Sequence, residues 1–175
     1  KDVEIYKGFV KEREQLDELY TRLMNVEQYV LSQTKSTLNI LTEKEFIVKN
    51  ETDMYTLTDK GQIAITVQEM HSLVFADVFK QTNGMKQLNA VEVIQFLSCF
   101  TNVTVIEKHK TFLSETTISD GLLDLVKQTE HLYNCYYDIE TKYGIESGCE
   151  YVLHYDMIEY IKEWCESETE QQSRV

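Results

Sequence analysis

Apolar residues recur every three or four positions along most of this chain, and the places where that rhythm fails mark its joints. From about Val3 to Met24, Tyr6, Phe9, Val10, Leu16, Leu19, Tyr20 and Leu23 keep helical spacing among Lys11, Glu12, Arg13, Glu14 and Glu18. The pattern predicts an amphipathic helix with one buried stripe. It reads as one arm of a helical hairpin whose partner is missing or comes from another element. A second helix is expected from about Val26 to Leu41, with Asn25 as its N-cap and Val26, Tyr29, Val30, Leu38 and Leu41 inward. The period then changes. Phe46-Ile47-Val48 and Tyr55-Thr56-Leu57 are short, β-branched or aromatic, and flank the polar run Lys49 to Asp53, which predicts a β-hairpin.

Helical spacing returns after Gly61. A helix is predicted from Gln68 to Lys80, carrying Met70, Leu73, Val74, Val78 and Phe79, with a stop at Asn83-Gly84. Asn89-Ala90-Val91-Glu92 has the form of a capping box ahead of Val93, Ile94, Phe96, Leu97 and Phe100. Thr101 to Glu115 is polar and irregular, a loop. The longest helix is expected from about Ile118 to Tyr143, with a stripe through Leu122, Leu125, Val126, Leu132, Tyr133 and Tyr136 and a stop at Gly144. A last helix, about Cys149 to Glu166, would turn Leu153, Met157, Ile158, Ile161 and Trp164 inward. The fold class is therefore mainly α, a helical bundle with a small β-hairpin that completes a winged-helix-like element.

Composition agrees with that reading. Proline is absent from the 175 residues, and proline costs a helix interior about 3 kcal/mol. Hydrophobic residues make up 42% of the chain, enough for a core. Lys1 stands first where a Met would begin a complete product, so the chain is expected to be a piece of something longer. The net charge of −13 is concentrated from Glu115 to Glu170, where fourteen acidic residues face three basic ones. Phosphate neutralisation by Lys and Arg supplies most nonspecific nucleic-acid affinity, so the chain alone should bind RNA or DNA poorly. The acidic stretch reads as a solvated face or as a docking face for a basic protein partner. No apolar run has membrane-spanning length, and a reducing, intracellular location is expected.

Catalytic chemistry finds little to stand on. Gly144-Ile145-Glu146-Ser147-Gly148 lacks the Lys and Ser/Thr that complete a P-loop. No nucleophile sits in a glycine-flanked elbow. His131 and Cys135 share a helix face, and Cys149, His154 and Cys165 are further candidate ligands, but the tight pairs of structural zinc sites are missing. The cysteines read as buried thiols, Cys99 above all. Tyr133, Tyr136, Tyr137 and Tyr143 sit among Glu130, Asp138 and Glu140, which favours packing or a protein interface over base stacking.

Two short signatures carry a resemblance: Lys60-Gly61-Gln62-Ile63-Ala64 and Leu97-Ser98-Cys99-Phe100. With the helices between and after them, they resemble the start of the C-terminal helical domain of the DExH-box RNA helicases that feed the RNA exosome, the superkiller and nuclear-exosome type. The likeness covers roughly Leu31 to Trp164, with Gly61, Ala64, Leu97, Ser98, Cys99, Phe100 and Trp164 as the matching structural positions. It implies that residues 1–24 are a returning stalk or linker helix, 25–60 the end of a winged helix with its hairpin, and 61–175 the start of the helical bundle. It further implies a parent that uses ATP and Mg, with this region bracing two RecA-like motor domains and reaching RNA only through the parent. No cofactor is expected on the chain itself. In that family the helix that touches translocating RNA follows the element matched at Trp164, so no RNA-contacting residue is assigned. The alternative is a stand-alone acidic helical interaction module. A third reading, a winged-helix nucleic-acid binder using Val26 to Leu41, has only Lys35 as its cation.

Overall fold

The computed structural model of the chain describes residues 2–68, 70–103, 105–145, 147–169 and 171. Its first element corrects the sequence reading. Where two helices were expected, a single helix, α1, spans Asp2–Glu43. At 1.5 Å per residue its 42 residues are about 63 Å long. Asn25 caps nothing and lies mid-helix. An asparagine there costs no more than about 0.7 kcal/mol relative to alanine, and no proline or glycine follows it to break the ladder. The helix ends where Glu45 takes a left-handed conformation, φ 60°, and the Phe46 N–H bonds back to the Leu41 carbonyl at 2.8 Å.

The predicted hairpin follows. Strands β1 (Ile47–Lys49) and β2 (Tyr55–Leu57) pair antiparallel, with Ile47 opposite Leu57 and Lys49 opposite Tyr55. Asn50 closes the connection, its side-chain oxygen accepting from the N–H groups of Thr52 and Met54. Helix α2 (Asp59–Thr66) begins at once, capped by Thr58. Helix α3 covers Ser72–Gln81. It starts later than the predicted Gln68 because His71 is its cap: the ring Nδ1 accepts from the Val74 N–H at 3.4 Å. Helix α4 (Ala90–Ser98) carries the predicted capping box of Asn89 and Glu92. The predicted loop 101–115 holds two short 3-10 turns, Glu107–His109 and Leu113–Glu115.

Helix α5 (Asp120–Tyr143) is capped by Ser119 and stopped by Gly144 in the left-handed region, φ 62°. Helix α6 spans only Ile158–Glu166. The expected start at Cys149 fails because residues from there to Tyr155 are drawn into irregular contacts with the bundle. Leu153 is buried, and the His154 N–H donates to the Cys99 carbonyl at 2.8 Å.

Helix α3 packs between α2 and α5, while α4 packs on α6. The core they enclose centres on Phe46, Val74, Val78, Phe96, Leu122, Leu125, Val126 and Ile158. The N-terminal part of α1 stands clear of it. Tyr6, Phe9, Val10, Leu16, Leu19, Tyr20 and Leu23, expected to be buried, are exposed, as are Val26, Tyr29 and Val30 of the expected second helix. Among the described residues of α1, it is the last turns that join the core, through buried Ile40 and half-buried Leu41. Among the described residues no helix is long and apolar enough to cross a membrane.

Candidate functional site

The sequence signatures lie at joints of the bundle. Gly61 sits in the first turn of α2, pressed against the hairpin. A Cβ at this position would stand 2.2 Å from the Phe46 carbonyl oxygen, so only glycine allows the approach. Ala64, one turn on, is buried against the same core. Lys60 lies across the Phe46 ring, its Nζ 4.1 Å from the centroid, and donates to the Lys44 carbonyl at 2.6 Å. The same ammonium pairs with Asp77 Oδ1 on α3. The other carboxylate oxygen of Asp77 accepts from the Tyr136 hydroxyl on α5. One buried carboxylate therefore ties α2, α3 and α5 together. Burial, and then the bond to Asp77, push the ionisation of Tyr136 well above the ordinary phenol range.

The second signature closes α4. Cys99 is wholly buried, its thiol donating to the Gln95 carbonyl, and burial pushes its pKa up to about 12. Ser98 donates to the same carbonyl at 2.7 Å. Phe100 meets Phe96, Phe75 and Tyr133 edge-on, with centroids 5.2, 6.4 and 6.3 Å apart. Leu97 is half-buried. Both signatures border one core, Ala64 and Cys99 belonging to the same apolar cluster. Trp164 does not join them. Expected inward, it is 58% exposed on α6, about 240° round the helix from buried Ile158. Trp164 instead borders an apolar groove of about 690 Å³ with Ile106, Met157, Tyr160 and Ile161.

The other candidate chemistry divides. His131 and Cys135 do share a face of α5, with Nε2 and Sγ 3.6 Å apart. Among the described residues no three His, Cys, Asp or Glu side chains converge as metal ligands. The buried-thiol reading holds for Cys99 alone. Cys149, in the irregular segment before α6, is exposed, and Cys135 and Cys165 are half-buried. Tyr133 and Tyr136 are core residues, whereas Tyr137 is exposed.

Sequence reasoning passed over His71. It is buried in a ring of tyrosines, with centroids of Tyr151, Tyr136 and Tyr133 at 5.0, 5.5 and 5.7 Å. Its Nε2 is buried and has no hydrogen-bond partner among the described residues. Burial holds the imidazole below the usual histidine range, with Glu140 pulling the other way. The available signal was its place just ahead of an apolar helical run, but histidine is an uncommon cap.

The exposed stripe on α1 also has more order than its hydrophobicity implied. Leu16, Leu19, Leu23, Val26 and Val30 follow one another at alternating intervals of three and four, which is the a/d repeat of a two-helix seam. All five are more than half exposed. No family model matches the chain, and no curated protein matches it.

Proposed function

We propose that the chain is the non-catalytic C-terminal region of an ATP-dependent DExH-box RNA helicase of the exosome-cofactor type. In this reading it braces the RecA-like motor domains and helps wall the RNA channel. The α1 seam carries the proposal. A helix about 63 Å long that leaves five a/d residues uncovered at one end, and is anchored in a bundle at the other, is made to be completed by another helix. That fits the returning stalk helix implied by the likeness at Lys60 to Ala64 and Leu97 to Phe100. The roles of those residues fit as well: Gly61 and Lys60 fasten hairpin to bundle, and Cys99 and Phe100 fill the core. They support scaffolding by packing, at about 25 cal/mol per Å² of apolar surface buried.

The decisive test is the uncut reading frame that encodes this chain. A P-loop lysine and a DExH motif upstream are expected, and the parent protein should unwind RNA only with ATP. A reading frame without that motor would overturn the proposal and leave the acidic interaction module. Capture of the isolated chain by a basic protein that loosens with added salt would then mark the 115–170 face as its working surface.

A further inference from the structure

We propose that His71 is a proton-sensitive latch. When neutral, it caps α3 and seats the irregular segment around Tyr151 over the bundle; when it gains a proton, it releases both.

The geometry rests on two nitrogens. Nδ1 accepts the Val74 N–H, so in the folded chain the ring carries its single proton on Nε2. Nε2 faces no acceptor among the described residues, while the Tyr151 hydroxyl on the ring packed against it turns toward Glu140 and Ser147. A second proton must go to Nδ1, the atom already taken by the Val74 N–H. Two donors would then point at each other, the cap would be lost, and a full positive charge would lie in a nine-tenths buried ring. The cheapest relief is to let water reach the ring. The element best able to move is the one lying on it, because Tyr151 belongs to an irregular segment rather than a helix.

Around His71, α5 contributes Tyr133, Tyr136 and the Glu140 carboxylate, and the covering segment contributes Tyr151. Glu150, Cys149 and His154 line a cavity of about 590 Å³ beside it. Asp77, on α3 itself, is taken up by Lys60 and Tyr136. Glu140 is therefore the carboxylate that acts on the ring, and it does so without a hydrogen bond to it, so it offsets the burial only in part.

The segment's backbone is pinned where the His154 N–H meets the Cys99 carbonyl. Its side chains are held where Tyr151 meets His71, Tyr133 and Tyr137, where Leu153 enters the core and where the Tyr155 hydroxyl donates to Glu130. Two amides thus report the latch directly: Val74 for the cap and His154 for the covering segment.

The test is hydrogen exchange at those two amides between pH 7.5 and 5.5, with rates corrected for intrinsic exchange. In the unaltered chain both should lose protection together as the pH falls through the ordinary histidine range, by up to about tenfold per pH unit, the limit for one proton. In His71→Asn the side-chain oxygen still caps α3 but does not titrate, so both amides should keep a flat profile; His71→Gln serves if that variant fails to fold. His154→Gln, which removes the neighbouring histidine of the same cavity, should keep the pH dependence. Persistence of the effect in His71→Asn, its loss in His154→Gln, or protection at Val74 and His154 that changes independently in the unaltered chain would each overturn the latch.

Discussion

Lys60 of α2 and Asp77 of α3 form an ion pair with side chains only 14% and 11% exposed. The pair has the asymmetry of buried charges: neutral partners of similar size replace both at little cost, whereas removing one strands the other. Lys60→Met leaves Asp77 with the Tyr136 hydroxyl alone and should cost about 3–5 kcal/mol in urea denaturation. Lys60→Met combined with Asp77→Asn should recover much of that loss, giving a coupling within about 0.5–3 kcal/mol in a double-mutant cycle. Additive costs would place the pair outside the core of the fold.

Gly61→Ala should reverse the usual sign. Glycine to alanine inside a helix ordinarily stabilises by about 1 kcal/mol. Here the added methyl meets the Phe46 carbonyl at 2.2 Å, and α2 must shift away from the hairpin. A loss near the upper end of the about 1–3 kcal/mol seen for overpacking is expected, measured as a lowered urea midpoint.

The α1 seam predicts a difference between the isolated chain and the proposed parent. Leu19 and Leu23 are exposed, so Leu19→Ala and Leu23→Ala should each change the stability of the chain by less than about 0.5 kcal/mol. In the proposed parent, with the seam covered, the same changes should each cost about 2–5 kcal/mol. Equal, small effects in both settings would show that nothing packs there.

Glu92 serves two helices at once. One oxygen accepts the Asn89 N–H at 2.8 Å, and the other accepts the Ser119 hydroxyl at 2.5 Å. The bond to Ser119, and then that to Asn89, hold its carboxyl below the ordinary carboxylate range. A lowered folded value means that the stability it contributes is complete above the ordinary carboxylate pKa and is lost as the pH falls through the folded value. Glu92→Ala should cost about 1–2 kcal/mol at pH 7. The gap between the two proteins should close toward pH 3.

The thiols should react in a fixed order. An aromatic disulfide reagent should modify exposed Cys149 first and half-buried Cys135 and Cys165 after it. Cys99, buried with its pKa pushed up to about 12, should react only on unfolding. Rapid native modification of Cys99 would contradict the packing at the end of α4.

Much of this architecture was written locally. The hairpin at Ile47 to Leu57, the capping box at Asn89 and the stop at Gly144 each depend on a few neighbouring residues. The inward stripe of α5 was legible for a similar reason, since one face of a regular helix has a fixed period. What misled the reading was context. The stripe on α1 announces an apolar face, and no periodicity says whether anything within the chain covers it. The break placed at Asn25 came from a cap-forming residue that a long helix simply absorbed. The late start of α6 was hidden because the bonds that replace its first turns, such as that from His154 to Cys99, join residues far apart in sequence.

By itself, the order of residues determined that the chain is mainly helical with one hairpin, and where several of the caps and stops lie, because those preferences act over a few residues. It also supplied the two signatures at Gly61 and Cys99. Only the tertiary structure decided that Lys60 would find Asp77, that Tyr136 would complete the junction, and that His71 would lie capped among three tyrosines. Those relationships arise when separate helices are brought side by side, and burial then turns ordinary side chains into charges and donors that must be matched.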